Sequence, residues 1–172
     1  KTPLDTRMMM LVVQPGSPVD GRTIAETRMP GEIVEFLRRA GHSVTETDNL
    51  LLTTLSMNPQ PLHLDAEYAK GTEWGRPLVN SMFTLALVVG LSVGDTTLGT
   101  TVGNLGFEKI DFPHPVFVGD TITYDTTAMG KRPIARPGWG LVLSRARGFN
   151  QDGVKVYESH GASTVPMRAK AQ

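Results

Sequence analysis

Cysteine is absent from this chain of 172 residues. That absence excludes disulfide bonds, thiolate metal sites and a cysteine nucleophile. A net charge is missing as well, because 17 Lys and Arg residues balance 17 Asp and Glu residues. No overall electric field therefore draws the chain to nucleic acid or to an acidic membrane surface. We expect a cytoplasmic protein that binds neither nucleic acid nor membranes.

A hydrophobic run long enough to span a membrane is also missing. The most apolar segment, residues 78–91, has about fourteen residues, whereas a membrane-spanning helix needs roughly twenty. It follows Arg76-Pro77 and is apolar on almost every side, so the sequence predicts a buried core helix there. Residues 8–13 form a shorter apolar run, which predicts an edge or packing segment.

Shorter elements are predicted before this helix. Residues 31–40 have apolar side chains at helical spacing, which indicates a short amphipathic helix. Residues 44–48 favour a strand that ends at Asp48, the predicted N-cap of a helix over residues 50–55. The segment 56–64 contains two prolines and is predicted to be a loop. A brief helix capped by Asp65 follows it.

The chain after Gly94 has the composition of β-structure. Four segments are predicted strands, namely residues 97–110, 120–129, 139–150 and 154–167. Asp152-Gly153, between the last two, predicts a tight hairpin. A buried helix followed by antiparallel strands predicts an α+β fold, with a sheet wrapped around a long central helix in one domain over residues 1–172.

The segment 58–65, NPQPLHLD, contains the first candidate site. Its prolines stiffen a loop that holds an amide at Asn58, an imidazole at His63 and a carboxylate at Asp65. Imidazole gives and takes protons near neutrality, so His63 is a candidate general acid or base. The alternative is a partly buried structural histidine bonded to the loop backbone. No second pair of ligands has suitable spacing, so the sequence predicts no metal site.

Two further features carry chemistry. Free N–H groups at a helix start attract developing negative charge, which makes the Ser81 N–H a candidate donor to an activated carbonyl oxygen. A plain core helix is the alternative. The loop KRPIARPG holds a local cationic cluster of Lys131, Arg132 and Arg136. This cluster either suits phosphate groups or is simply a solvated surface.

The order and spacing of these segments resemble the MaoC-like (R)-specific enoyl-CoA hydratases of the hot-dog superfamily. The family pattern has Thr-Glu-x-Asp, then Asp-x-Asn-Pro-x-His-x-Asp, then Gly-x-Pro-Ile-x-His-Gly-Met. This chain has VTETD at 44–48, NPQPLHLD at 58–65, GRPLVNSM at 75–82 and FVGDT at 117–121. The resemblance covers about residues 41–167.

The resemblance implies a hot-dog fold that adds water reversibly to a 2-enoyl-CoA thioester. It also implies a homodimer or higher homo-oligomer with its sites at a subunit interface. No cofactor is implied beyond the coenzyme A (CoA) that the substrate carries. The implied roles are catalysis for His63 and Asn58, thioester binding for Ser81 and Asn80, a substrate pocket with Val79, Met82 and Gln60, and CoA phosphate binding for Lys131, Arg132 and Arg136.

Two departures from the family pattern affect the expected substrate. Asn58 replaces the family's catalytic aspartate, and an amide positions water but does not accept its proton. Asn80-Ser81 replace His-Gly, which makes the pocket more polar. The loop also resembles that of mesaconyl- and itaconyl-CoA hydratases, so we expect a short, branched dicarboxylic acyl group. Two other functions stay open, a hot-dog acyl-CoA thioesterase and a non-catalytic acyl-CoA-binding module.

Overall fold

The computed structural model describes residues 34–36 and 41–167. The predictions for residues 8–13 and for most of 31–40 lie outside the described residues. In chain order the elements are β1 (Val34–Phe36), β2 (His42–Ser43), α1 (Glu46–Leu55), α2 (Pro61–Leu64), α3 (Ala66–Lys70), α4 (Ser81–Thr96), β3 (Gly103–Asp111), β4 (Thr121–Pro133), β5 (Trp139–Phe149) and β6 (Lys155–Pro166).

The strands form an antiparallel sheet in the order β1-β4-β5-β6-β3, and β2 pairs with the beginning of β4. The predicted hairpin between β5 and β6 is confirmed. Its turn is closed by the Gly153 N–H, which donates to the Asn150 carbonyl at 3.0 Å. Gly153 has φ 78°, a left-handed conformation that glycine adopts without a steric penalty.

The core lies where α4 crosses the sheet. Val88 of α4 and Ile122 of β4 are completely buried, and Tyr157 of β6 packs in the same cluster. Gly148 of β5 makes this close crossing possible, because a β-carbon there would lie 2.8 Å from Val88 Cγ2. The prediction of an antiparallel sheet around a central helix is confirmed.

The central helix differs from its predicted bounds. It begins at Ser81 rather than residue 78 because the Asn80 side chain accepts the Met82 N–H at 3.0 Å and acts as the N-cap. It ends at Thr96, so the strand expected from residue 97 begins only at Gly103. The helix is also not buried all round, since its outward face is exposed in the single chain: Met82, Ala86, Gly90 and Val93.

Three other predictions need correction. Residues 34–36 form a strand rather than part of a helix, because they pair with residues 126–128 of β4 and this contact overrides helical spacing. Thr45 caps α1, while Asp48 occupies the third helical position and completes a capping box. Pro61 starts the one-turn helix α2 within the expected loop, because proline fits a first helical position.

The short helix α3 agrees with its prediction. The Asp65 carboxylate caps it and accepts the backbone N–H groups of Glu67 and Tyr68 at 2.9 and 3.0 Å. Asp65 is therefore occupied as an N-cap at the end of the NPQPLHLD segment.

Candidate active site

His63 is held by the chain that leads into α4. Its Nδ1 atom lies 3.0 Å from the Leu78 carbonyl oxygen. A carbonyl oxygen only accepts hydrogen bonds, so Nδ1 carries the proton and Nε2 of the neutral ring keeps a lone pair. The Leu78 N–H donates in turn to the Leu62 carbonyl at 3.1 Å. The fold thus presents Nε2 as the proton acceptor.

A buried polar network from α1 connects His63 to the start of α4. Asn49 Nδ2 donates to the His63 carbonyl at 2.9 Å, and Asn49 Oδ1 accepts the Asn80 N–H at 2.8 Å. The Asn80 amide donates to Thr53 Oγ1 at 3.3 Å. Asn49 and Thr53 were not predicted from the sequence. Their spacing of four was an available signal, because residues four apart share one helix face.

The Ser81 N–H is the first N–H group of α4. Asn80 satisfies the next three, through its side chain for Met82 and through its carbonyl for Phe83 and Thr84. The Ser81 N–H itself donates to no group in the described part of the chain. It lies at the positive end of the helix, three residues after the carbonyl that holds His63.

Asn58 follows a sharp change of direction after α1. Met57 has φ 54°, in the left-handed region that side chains other than glycine rarely adopt. The Asn58 N–H donates to the Thr53 carbonyl, and Asn58 Oδ1 accepts the Gln60 N–H, both at 3.0 Å. The second bond fixes which side-chain atom is oxygen. Asn58 therefore offers its Nδ2 donor rather than an acceptor.

The remaining predicted pocket residues lie in different environments, and their roles stay predictions. The side chains of Asn80 and Val79 are only 3% and 4% exposed, in the buried network and the core cluster respectively. Met82 is half-exposed on the outward face of α4, and the Gln60 side chain is exposed at the surface.

The cationic cluster lies far from His63 within one chain. Lys131 and Arg132 are at the end of β4, and Arg136 stacks on Trp139 with its Cζ atom 3.9 Å from the ring centre. Ten residues of strand separate Arg132 from Ile122, which belongs to the same core cluster as Val88 of α4, and they span roughly 33 Å. The phosphate role of this cluster stays a prediction.

A cavity of about 260 Å³ lies between the second half of α4 and the sheet. Small residues of the sheet leave this space: Ser144, Ala146, Ser159, Gly161 and Ser163. The Thr126 hydroxyl on its wall is buried and unpartnered within the described residues, which costs about 1–3 kcal/mol if nothing binds there. Among the described residues, no charged side chain lines the cavity. It suits a ligand with uncharged or hydroxyl-bonded polar groups.

The carboxylate of Asp48 lies at the start of α1, the helix that carries the buried network. The backbone N–H of Thr45 holds the pKa of Asp48 below its usual value, and His42 and the Thr45 hydroxyl add to this effect.

Within residues 34–36 and 41–167, no three His, Asp or Glu side chains converge as a metal site would require. No helix within these ranges has the length and apolar character to cross a membrane.

Two curated relatives are enzymes named for CoA thioesters. The mesaconyl-CoA hydratase of Cereibacter sphaeroides is 33% identical over 136 residues, which are 79% of this chain and 38% of that protein. The (R)-specific enoyl-CoA hydratase of Aeromonas caviae is 39% identical over 84 residues, 47% of this chain and 61% of that protein. The chain thus spans less than two thirds of either relative.

The fold agrees with solved structures. The monoamine oxidase regulatory protein of Archaeoglobus fulgidus superimposes with a TM-score of 0.69 at 28% identity, over 82% of this chain and 92% of that one. A Mycobacterium tuberculosis protein described as having a double hot-dog fold superimposes with a TM-score of 0.69 at 19% identity, over 84% of this chain and 44% of that one. The family model described as the MaoC like domain matches residues 28–142. The chain therefore belongs to the MaoC-like domain family and has the hot-dog fold.

Proposed function

We propose that this protein adds water reversibly to the double bond of a short 2-enoyl-CoA thioester. The observation that carries the proposal is the His63–Leu78 hydrogen bond, which leaves Nε2 available as a base and ties His63 to the chain three residues before the unpaired Ser81 N–H. A base and an oxyanion donor are the two groups that addition of water to a conjugated thioester needs. The names of the two curated relatives support the same chemistry.

In the proposed mechanism each group has one task. The Ser81 N–H, at the positive end of α4, donates to the thioester oxygen and stabilises the enolate that forms. Asn58 Nδ2 donates to the oxygen of a water molecule and orients it. His63 Nε2 removes a proton from this water as its oxygen bonds to the β-carbon. The proton then passes from His63 to the α-carbon, so the net change is one added water.

The acyl group is proposed to be a branched dicarboxylic one, of the mesaconyl- or itaconyl-CoA type. The Cereibacter sphaeroides relative is named for mesaconyl-CoA, which supports this substrate class. No cofactor takes part beyond the CoA of the substrate.

A direct assay tests the function. Purified protein is incubated with mesaconyl-CoA, itaconyl-CoA and crotonyl-CoA, and ultraviolet absorbance is followed while products are identified by mass. We expect the gain of one water, with turnover lowered about 10²–10⁴-fold in His63→Ala. Release of free CoA instead would indicate a thioesterase, and tight binding without turnover would indicate a binding module. Either result contradicts the proposal.

We also propose that the protein works as a homodimer. The outward face of α4 and the adjacent side of α1 form an exposed apolar surface, with a groove of about 470 Å³ between the two helices. Leu55 is 80% exposed there and Leu51 is 56% exposed. Exposed apolar surface of this kind is typical of a contact between proteins. The small residues Ala86 and Gly90 allow a second α4 helix to approach closely.

A further inference from the structure

A second arginine stacked on an aromatic ring lies next to the candidate active site. The Cζ atom of Arg76 is 3.7 Å from the centre of the Phe117 ring. Trp74 contacts the same ring, with the two ring centres 6.5 Å apart and the planes tilted by 56°. Trp74 is 38% exposed, and Arg76 makes no ion pair within the described residues. The cluster therefore presents a free cation and an open aromatic surface to solvent.

The backbone ties this cluster to the same segment that holds His63. Gly75 has φ 67°, and this left-handed turn allows both of its neighbours to reach Phe117. Phe117 forms an antiparallel bridge with Leu78, whose carbonyl accepts from His63. The Phe117 N–H also donates to Asp120 Oδ2 at 2.9 Å. The position of the cluster relative to the site is thus determined by the fold.

We propose that Trp74 and Arg76 bind the adenosine 3′-phosphate end of CoA. This inference rests on the proposed function for the choice of ligand. One face of the Arg76 guanidinium is covered by Phe117, so its N–H groups point outward in their plane, the geometry that suits a phosphate. The exposed indole of Trp74 offers a surface on which adenine stacks, and such stacking tolerates any base.

The distance along the chain favours this cluster over the hairpin at the end of β4. Trp74 precedes Leu78 by four residues, so its backbone lies within about 14 Å of the segment that holds His63. Arg136, which stacks on Trp139, lies in the loop that follows the far end of β4. A CoA molecule whose thioester is at Ser81 thus meets Arg76 and Trp74 on the same chain.

The test measures binding of adenosine 3′,5′-bisphosphate and of free CoA by calorimetry, without any reaction. We expect Arg76→Gln to raise the Kd about tenfold, as for the loss of a charge-assisted pair. Arg136→Gln tests the hairpin cluster in the same assay, and Lys109→Gln, which removes an exposed cation of β3 outside both clusters, is the matched control that leaves the Kd unchanged. Glu73→Gln, which removes a neighbouring negative charge, lowers the Kd by about twofold.

Fluorescence gives a second readout. The chain has two tryptophans, so Trp139→Phe leaves Trp74 as the reporter, and adenosine 3′,5′-bisphosphate is expected to quench it. Weaker binding in Arg136→Gln but not in Arg76→Gln overturns the inference in favour of the hairpin, and an unchanged Kd in both variants overturns it outright. Nucleotide binding through Arg76 without hydration of any enoyl-CoA overturns the proposed function alone.

Discussion

Asn58 and His63 differ in which atoms they leave available. The backbone occupies the Asn58 oxygen and the His63 Nδ1 atom, so Asn58 retains a donor and His63 retains an acceptor. In the proposed mechanism a water molecule between them is oriented by one side chain and deprotonated by the other. The family pattern has a carboxylate at position 58, which can do both. His63 is therefore expected to carry the whole proton transfer here.

A carboxylate at position 58 tests whether Asn58 only orients the water while His63 carries the whole proton transfer. Asn58→Asp keeps an oxygen for the Gln60 N–H and adds a second oxygen that accepts a proton. We expect kcat for hydration to rise on the order of tenfold, since a positioned base contributes at least that much. Steady-state rates with crotonyl-CoA and mesaconyl-CoA measure the effect, with Asn58→Ala as the control that loses both functions. A lower kcat in Asn58→Asp would show that the reaction needs the amide donor.

At the scale of the elements, the start of α4 depends on side chains from α1. Asn80 caps α4, and its amide is bonded to Thr53 in a region where both residues are buried. Asn49 bridges the same helix start to the His63 carbonyl. A change in this network therefore moves the Ser81 N–H and His63 together. It is expected to alter both stability and activity.

A double-mutant cycle measures the network. Asn80→Ala removes the cap and the amide that donates to Thr53 Oγ1, so we expect a loss of about 1–3 kcal/mol in the free energy of unfolding. Thr53→Val removes the same hydrogen bond from the other side. If the Asn80–Thr53 hydrogen bond is present, the double variant loses about 1 kcal/mol less unfolding free energy than the two single variants lose together. Urea unfolding measures these losses. Strict additivity would contradict the contact.

The start of α1 has a pH dependence of known sign. The pKa of Asp48 is lowered in the folded chain, chiefly by the Thr45 N–H and then by His42. A lowered carboxyl pKa stabilises the fold above the ordinary value of 3.8 and loses this effect as the pH falls through the folded value. Asp48→Asn in a His42→Gln background, where only the carboxylate titrates, should cost up to about 1 kcal/mol at pH 6, since solvent screens this carboxylate.

The His42→Gln variant, with and without Asp48→Asn, also provides the control at acid pH. Below the lowered pKa the aspartate is protonated and resembles asparagine, so the difference in unfolding free energy should shrink as the pH falls below 3.8. Urea unfolding followed by circular dichroism at pH 6, 4 and 3 gives the series. A difference that grows as the pH falls would have the wrong sign and would contradict the capping-box interpretation.

Local patterns predicted the elements whose cause is local. The strands β4, β5 and β6, the hairpin at Asp152-Gly153 and the Asp65 cap each depend on neighbouring residues, and the structure agrees with them. The beginning of α4 was misplaced because Asn80 is held by Asn49 and Thr53 from a different helix. Contacts between elements are not visible in a linear pattern, except where a family motif records them.

The candidate site was likewise predictable only where a local sequence motif marks it. The motif around His63 and the position of Ser81 were predictable because each occupies a recognisable spacing. The role of the Leu78 carbonyl was not, since any residue supplies a carbonyl. The cavity was not predicted either, because it depends on which small residues of β5 and β6, such as Ser144 and Gly161, face the helix together.

At the scale of the whole molecule, the exposed apolar surface of α1 and α4 is the main unpaired feature of the described chain. On α4 it follows a spacing of four, through Met82, Ala86 and Gly90, so these residues lie along one line of the helix. A second copy related by a two-fold axis would place two such lines against each other. Burial of the leucines of α1 would add to the contact.

A charge on this line tests the homodimer. Ala86→Glu buries a carboxylate in the proposed contact, so we expect the sedimentation coefficient and the mass from light scattering to fall from those of a dimer to those of a monomer. Ala135→Glu makes the same substitution in the exposed β4–β5 loop and should leave the dimer intact. If the site lies at the subunit interface, hydration activity falls with the mass in Ala86→Glu and is kept in Ala135→Glu. A dimeric Ala86→Glu variant with full activity would place the subunit contact on another face.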